Sequence, residues 1–316
     1  MFAALALAVL VAAAPLPAPR PGEPIEEQIR QNSLVGQFAE PPDPGRHPAV
    51  IVLGGINGGI PHEALSFALL GYASFGVAYF GAPPLPNAVD GIPVETVSRA
   101  VDYLVARPDV DPARIGIVGL STGGELALLA AARDSRIKTV AVISPSAYVW
   151  FATAFDGRPD RSSWTANNGP LPFIPPAQRG LDALSRAYDS NGTFAFRELY
   201  DASLAAATGD AIAGATIPVE RIAGPILCLA GDDDREWDSA AACRTIAARR
   251  RDAQRGARDE VAIERGAGHA LSLGSPTPDV IPAGRMRFVL GGSPDANARA
   301  AADEWVKTVT FLAKTL

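Results

Sequence analysis

The chain has 316 residues, of which 48% are hydrophobic and 20% are charged. This length is enough for one large domain or two small ones with a buried core, and the composition is that of a globular protein rather than a disordered one. Its net charge is −6 and its sequence pI is about 5.2. Because an acidic surface repels phosphate backbones, we expect no nucleic-acid partner.

The N-terminal segment resembles an export signal. Residues 1–14 form an apolar run, which is shorter than the roughly 20 residues of a membrane-spanning helix, so no stable membrane span is expected. Ala12-x-Ala14 matches a signal-peptidase site, although no Lys or Arg precedes the run. We therefore expect residues 1–24 to be a signal peptide and Pro-rich linker. The protein would then be exported to the periplasm or secreted, and it would be cytoplasmic if the run is not a signal.

From residue 25 to residue 316 we expect a single domain in which strands and helices alternate. Apolar runs predict strands at 49–53, 73–80, 114–120, 139–143, 225–230 and 260–264. Helical patterns occupy 62–70, 93–107, 122–133 and 238–250, and a last helix begins at Ser293-Pro294, where an N-cap precedes a proline. This alternation predicts an α/β fold with a doubly wound, mostly parallel sheet.

One long segment interrupts the alternation. Residues 145–216, between the strands near 139–143 and 225–230, are rich in Gly, Pro and aromatic side chains. Long insertions in compact domains are commonly lids or binding loops. We expect this one to be a lid or substrate-binding insertion that accepts an apolar acyl or aryl group.

A nucleophile motif follows the strand at 114–120. Gly119-Leu120-Ser121-Thr122-Gly123 matches G-x-S-x-G and lies between a buried strand and a helix, where the chain must turn sharply and expose the serine hydroxyl. Glycine is needed at 119 and 123 because a side chain there would collide with neighbouring backbone. The helix N-terminus favours negative charge at the reacting centre. A chance match in a Gly-rich chain is the alternative, and the strand–turn–helix context favours Ser121 as the nucleophile.

A serine nucleophile needs a general base, and the chain has three histidines. Hydrolases with this motif place the acid and then the histidine after the serine, which selects His269. His47 precedes the first core strand and is expected in a surface loop. His62 begins a helix and is expected to be structural.

The turn after the strand at 225–230 contains three consecutive aspartates, Asp232, Asp233 and Asp234. The common G-x-x-D spacing from Gly231 selects Asp234 to orient the imidazole, with Asp233 as the alternative. A calcium site is a weaker interpretation of this acidic turn, because no further spaced carboxylates support it.

The developing oxyanion needs backbone N–H donors. Thr122, after the nucleophile, would supply one. Ile56, after Gly54-Gly55 in the loop that follows the first core strand, would supply the second, unless this loop is an ordinary tight turn.

No metal-ligand or dinucleotide motif is present, so neither a metal nor another cofactor is implied. The two cysteines, Cys228 and Cys243, are interpreted as separate small buried residues, with a disulfide left open.

Six stretches carry a family resemblance: 48–59, 77–86, 114–132, 217–239, 266–269 and 291–312. They are similar to the C-terminal catalytic domain shared by acyl-CoA thioesterases and bile acid-CoA:amino acid N-acyltransferase, in the α/β-hydrolase superfamily alongside dienelactone hydrolase-like proteins. The Asp-Asp-x-x-Trp arrangement at 233–237 is more specific than the nucleophile motif. The resemblance implies an α/β-hydrolase fold and a triad of Ser121, Asp234 and His269.

These motifs predict a serine hydrolase that cleaves a small-molecule ester or thioester through an acyl-enzyme. The transferase that the chain resembles uses cysteine, so serine favours transfer to water. Acyl transfer to an amine or alcohol, a non-catalytic binding protein on the same scaffold, and a peptidase remain alternatives. The sequence assigns no oligomeric state.

Overall fold

The structure is a computed structural model and describes residues 22–153, 160–270 and 272–316. Residues 1–21, which contain the expected signal peptide and most of the linker, lie outside the described residues.

The strands are numbered in chain order. They are β1 Ile25–Gln31, β2 Leu34–Glu40, β3 His47–Leu53, β4 Ala73–Ala78, β5 Ile92–Pro93, β6 Val110–Leu120, β7 Ile137–Ile143, β8 Trp164–Ala166, β9 Gly169–Pro170, β10 Thr193–Phe194, β11 Ile226–Gly231, β12 Glu260–Glu264, β13 Val280–Ala283 and β14 Met286–Val289. The α-helices are α1 Ala64–Leu69, α2 Glu95–Val105, α3 Thr122–Ala131, α4 Gln178–Asp189, α5 Phe196–Ala206, α6 Gly209–Ala215, α7 Ser239–Asp252 and α8 Pro294–Thr315.

Eight strands form the central sheet in the order β1-β2-β4-β3-β6-β7-β11-β12. From β4 to β12 every neighbouring pair is parallel, whereas β2 pairs antiparallel with both β1 and β4. Leu53 pairs with Gly119, and Ile143 pairs with both Leu120 and Leu229. The carboxyl ends of β3, β6, β7 and β11 therefore lie level at one edge of the sheet.

Helices cover both faces of the sheet because the side chains of each strand alternate. In β3, Ile51 and Leu53 pack in the core beneath α2, α3 and α7, whereas Val50 and Val52 pack in the core beneath α1 and α8. The predicted doubly wound α/β sheet is confirmed.

Several expectations about local structure are corrected. His47 is buried rather than in a surface loop, because it opens β3 and its Nε2 lies 2.8 Å from the Asp43 carbonyl oxygen. Pro93 pairs in β5 rather than beginning α2. Cys228 and Cys243 are not separate thiols but form a disulfide, since α7 packs on β11 with a Cα–Cα distance of 5.6 Å. The β1–β2 hairpin was not predicted, since β1 is polar and mostly exposed.

The insertion at 145–216 contains β8 to β10 and α4 to α6, and it has its own aromatic cluster. Trp150, Phe151, Phe194 and Tyr200 pack there together with Trp237, which follows β11. β10 also pairs with β14, so the insertion is joined to the β13–β14 hairpin near the C-terminus.

A buried arginine links α7 to the sheet. The Arg250 side chain is fully buried and donates hydrogen bonds to the carbonyl oxygens of Ile222 and Gly224. It also forms an ion pair with Asp259, which in turn accepts from the backbone N–H of Ile226 at the start of β11. One guanidinium thus satisfies several buried acceptors.

Replacing Arg250 with alanine is expected to lower the free energy of unfolding by about 3–5 kcal/mol, because the buried Asp259 would lose its ion-pair partner and the Ile222 and Gly224 carbonyl oxygens would lose their donor. The control is Arg249→Ala, which removes a half-exposed ion pair with Glu220 and should cost less than about 1 kcal/mol. Urea unfolding measures both, and equal losses would contradict this role of Arg250.

Candidate active site

Ser121 occupies a strained turn between β6 and α3. Its φ is 53° and its ψ is −120°, a backbone conformation that residues other than glycine rarely adopt. A Cβ added at Gly119 would lie 2.3 Å from the Gly123 carbonyl oxygen, and one added at Gly123 would lie 2.3 Å from the Gly54 carbonyl oxygen. The two glycines therefore allow the turn to close against the loop after β3.

Three side chains distant in sequence form a hydrogen-bonded chain at the carboxyl edge of the sheet. The Ser121 Oγ lies 2.8 Å from His269 Nε2, and His269 Nδ1 lies 2.8 Å from Asp234 Oδ2. A carboxylate only accepts, so Nδ1 carries the proton and Nε2 accepts from the serine hydroxyl. All three residues are buried.

The Asp234 carboxylate is fixed by four donors. Its Oδ1 accepts from the backbone N–H groups of Glu236 and Trp237, and its Oδ2 accepts from the Ser239 hydroxyl at 2.5 Å as well as from His269. The carboxylate therefore holds the imidazole in one orientation.

The neighbouring aspartates make other contacts. Asp233 forms an ion pair with Arg235 and accepts from the Gly292 N–H, and Asp232 accepts from the Gly266 N–H. Of the two aspartates left open by the sequence, the structure brings Asp234 to His269.

Burial and charge act in opposite directions on the imidazole. Burial by itself lowers the pKa of His269, but the hydrogen-bonded Asp234 carboxylate, with smaller effects from Glu236 and Glu304, outweighs burial and leaves that pKa above its ordinary value. The Trp237 ring packs edge-on to the imidazole at 5.3 Å between ring centroids, and its Nε1 donates to the Ser144 carbonyl oxygen.

The loop after β3 lies beside Ser121. A Cβ at Gly55 would be 3.1 Å from the Ser121 Cβ, so the Gly54-Gly55 backbone passes directly over the turn. Among the hydrogen bonds of the described residues, the backbone N–H groups of Ile56 and Thr122 have no acceptor. Both donors are therefore available to a ligand.

A buried tyrosine joins this loop to the turn. The Tyr79 hydroxyl donates to the Gly54 carbonyl oxygen at 2.7 Å and accepts from the Thr122 hydroxyl at 2.9 Å. Sequence reasoning did not assign a role to Tyr79, although it lies in the stretch at 77–86 that carries the family resemblance.

A cavity of about 950 Å³ opens beside these residues. Ile56 and Thr122 line one part of it, and most of the remaining wall comes from the insertion and from the β13–β14 hairpin. The apolar lining side chains include Phe151, Pro176, Leu181, Leu184, Phe196, Ile281, Met286, Phe288 and Leu290. The hairpin contribution was not predicted, because its strands are four residues each and half-exposed.

Across the described ranges, no cluster of three or more His, Cys, Asp or Glu side chains has an arrangement suited to a metal ion. In the same part of the chain, no helix combines the length and the apolar character needed to cross a membrane.

The strand order and the sharp turn at Ser121 define an α/β-hydrolase fold. The sequence profile of the family described as BAAT / Acyl-CoA thioester hydrolase C terminal matches residues 92–316, and the chain belongs to this family. The predicted family resemblance is thus confirmed.

Curated relatives agree with this assignment. Acyl-coenzyme A thioesterase 1 of Homo sapiens is 26% identical over 304 residues, covering 92% of this chain and 65% of that protein. Mitochondrial acyl-coenzyme A thioesterase 2 of Rattus norvegicus is 29% identical over 295 residues, covering 91% of this chain and 60% of that protein. The chain therefore spans less than two thirds of the length of these relatives.

Solved structures share the fold at low sequence identity. A puromycin-hydrolysing peptidase of Mycobacterium tuberculosis superposes with a TM-score of 0.58 at 17% identity, over 93% of this chain and 39% of that one. A dienelactone hydrolase-like promiscuous phosphotriesterase from metagenomic libraries gives 0.56 at 14% identity, over 93% of this chain and 99% of that one.

Replacing Gly119 with alanine is expected to destabilise the fold by about 1–3 kcal/mol, because the new methyl group would meet backbone atoms that cannot move aside. Gly209→Ala is the matched control. A Cβ at Gly209 has open space at the start of α6, so this change should stabilise by about 0.4–1 kcal/mol. Chemical unfolding of both variants tests the contrast, and a Gly119 variant as stable as wild type would refute it.

Proposed function

We propose that this chain is a serine hydrolase that cleaves an ester or thioester bond, with Ser121 as nucleophile, His269 as general base and acid, and Asp234 as the acid that orients His269. The observation that carries the proposal is the continuous hydrogen-bonded chain from Asp234 through His269 to Ser121 beside an apolar cavity. The names of the curated relatives, acyl-coenzyme A thioesterases, support this class of reaction.

In the first half-reaction, the Ser121 oxygen attacks the substrate carbonyl carbon while its proton passes to His269 Nε2. The carbonyl oxygen becomes an oxyanion, and the available N–H groups of Ile56 and Thr122 are the donors that we assign to it. The bond to the thiol or alcohol then breaks, and the leaving group takes the proton from His269. The acyl group remains esterified to Ser121.

In the second half-reaction, His269 removes a proton from water, and the resulting hydroxide adds to the acyl carbon. The bond to the Ser121 oxygen breaks, that oxygen recovers the proton from His269, and a carboxylic acid leaves. The negative Asp234 stabilises the imidazolium at each step, which agrees with its effect on the pKa of His269.

The cavity supports an apolar acyl or aryl group as the part of the substrate that is bound. Its wall is mostly aliphatic and aromatic, and such surfaces hold ligands by removing apolar area from water. We assign the residues from 25 to 316 to one domain and the insertion at 145–216 to substrate binding, since Phe151, Leu181 and Tyr200 are among its cavity-lining residues.

The disulfide between Cys228 and Cys243 supports export, because such bonds persist in oxidising compartments and are rare in the cytosol. The proposal of an exported enzyme rests on this bond together with the apolar N-terminal run.

Ser121→Ala is expected to lower kcat/KM for ester and thioester hydrolysis by about 10³-fold or more and to abolish labelling by a fluorophosphonate. Ser190→Ala, at an exposed serine that caps α4, is the control and should keep both properties. A panel of p-nitrophenyl esters and acyl-CoA thioesters provides the measurement. Hydrolysis near the wild-type rate in the Ser121 variant would end the proposal.

The pH dependence of kcat/KM tests the roles of His269 and Asp234. Activity should rise with pH as His269 loses its proton, with a midpoint above the ordinary imidazole value of about 6.5, because Asp234 raises the pKa. Asp234→Asn removes that charge, so the midpoint should move down and kcat should fall by about 10⁴-fold. Asp233→Asn is the matched control, and a larger effect at 233 than at 234 would reverse the assignment.

A further inference from the structure

A carboxyl group lines the apolar cavity beside the proposed triad. Glu236 is the one cavity-lining residue with a carboxyl or basic side chain in the part of the chain that the structure describes. Its backbone N–H donates to Asp234 Oδ1 at 2.9 Å, so its Cα is held relative to the reacting centre.

The Glu236 side chain has no partner within the described residues: it accepts no hydrogen bond and joins no ion pair. Burial raises the pKa of Glu236 to about 7, His269 acts to lower it, and Asp234 acts to raise it. The carboxyl group is therefore largely ionised at mildly alkaline pH, inside a mostly apolar wall.

A second polar residue, Tyr200, also lines the cavity. The pKa of Tyr200 is raised well above its ordinary value by burial and then by the charge of Glu236. The Tyr200 ring is stacked on Phe151 and packs edge-on against Trp237, which fixes its position. The cavity is thus lined by a carboxyl side chain and by a tyrosine whose ring is held in place.

A substrate that fills the cavity displaces the water that solvates the carboxylate. An ionised carboxylate left without a partner in an apolar site is costly, and a second negative charge beside it is more costly still. An ammonium group removes this cost, because it supplies both the opposite charge and hydrogen-bond donors.

We propose that Glu236 selects substrates whose apolar acyl group carries an ammonium close to the scissile carbonyl, and rejects those that carry a carboxylate there. The proposal rests on the serine-hydrolase function proposed above and narrows its substrate class to amine-bearing acyl esters or thioesters.

Three benzyl esters with the same 5-methylhexanoyl chain test the selection: one with a 3-amino group, one without a substituent at carbon 3, and one with a 3-carboxy group. Near pH 8 the substrate amine is mostly protonated, and the carboxyl groups of Glu236 and of the third ester are mostly ionised. Wild type should hydrolyse the cationic ester with the highest kcat/KM and the anionic ester with the lowest. The neutral ester reports any general loss of activity in a variant.

Glu236→Gln keeps the size of the side chain and removes the charge. It should lower the cation-to-neutral ratio of kcat/KM by about tenfold or more and raise the anion-to-neutral ratio. Glu236→Asp retains the charge and should retain the preference for the cation. Glu198→Gln, at an exposed acid on α5, is the control and should leave both ratios at wild-type values.

Equal ratios in wild type and Glu236→Gln, or a wild type that does not prefer the cationic ester, would overturn the selection. That failure is distinct from failure of the hydrolase function. If Ser121→Ala is inactive while the ratios do not respond to Glu236, only the selection is wrong; if Ser121→Ala still hydrolyses the neutral ester, the mechanism itself is wrong.

Discussion

The site depends on one constraint: the four parallel strands β3, β6, β7 and β11 end at the same edge of the sheet. Pairing of Leu53 with Gly119 brings the loop after β3 to the turn after β6, and pairing of Ile143 with Leu229 brings the turn after β11 to the same edge. The loops at this edge can pack backbone to backbone only at glycine positions, where no side chain separates them. A Cβ at Gly231 would lie 2.2 Å from the Ala267 carbonyl oxygen, so the loop before His269 packs directly on the end of β11.

Asp234 connects the geometry of the triad to the geometry of the cavity. One carboxylate oxygen binds His269, and the other binds the backbone N–H groups of Glu236 and Trp237. The backbone of Glu236, which lines the cavity, and of Trp237 is consequently held by the same side chain that binds the imidazole. Trp237 extends this link, because it packs both on His269 and on Tyr200 of the insertion.

The insertion and the β13–β14 hairpin supply most of the cavity wall, apart from the sheet edge that carries Ser121, His269 and Asp234. The sheet edge positions the serine, imidazole and carboxylate, while the cavity wall comes mainly from segments outside the sheet. This division agrees with the comparisons, in which a peptidase and a phosphotriesterase share the fold at 14–17% identity. Changes in the wall can therefore alter the shape of the cavity without moving the residues at the sheet edge.

The sequence by itself determined the parts that depend on local patterns. Strand–helix alternation predicted the parallel sheet, the glycines around Ser121 predicted the turn, and chain order selected His269, because each of these signals is carried by neighbouring residues or by simple spacing. Tertiary structure decided what depends on contacts between distant segments. It brought Asp234 rather than Asp233 to the imidazole, joined Cys228 to Cys243, and placed the Glu236 side chain in the cavity wall. Those outcomes follow from how loops and helices pack against one another at the edge and face of the sheet, which no local pattern specifies.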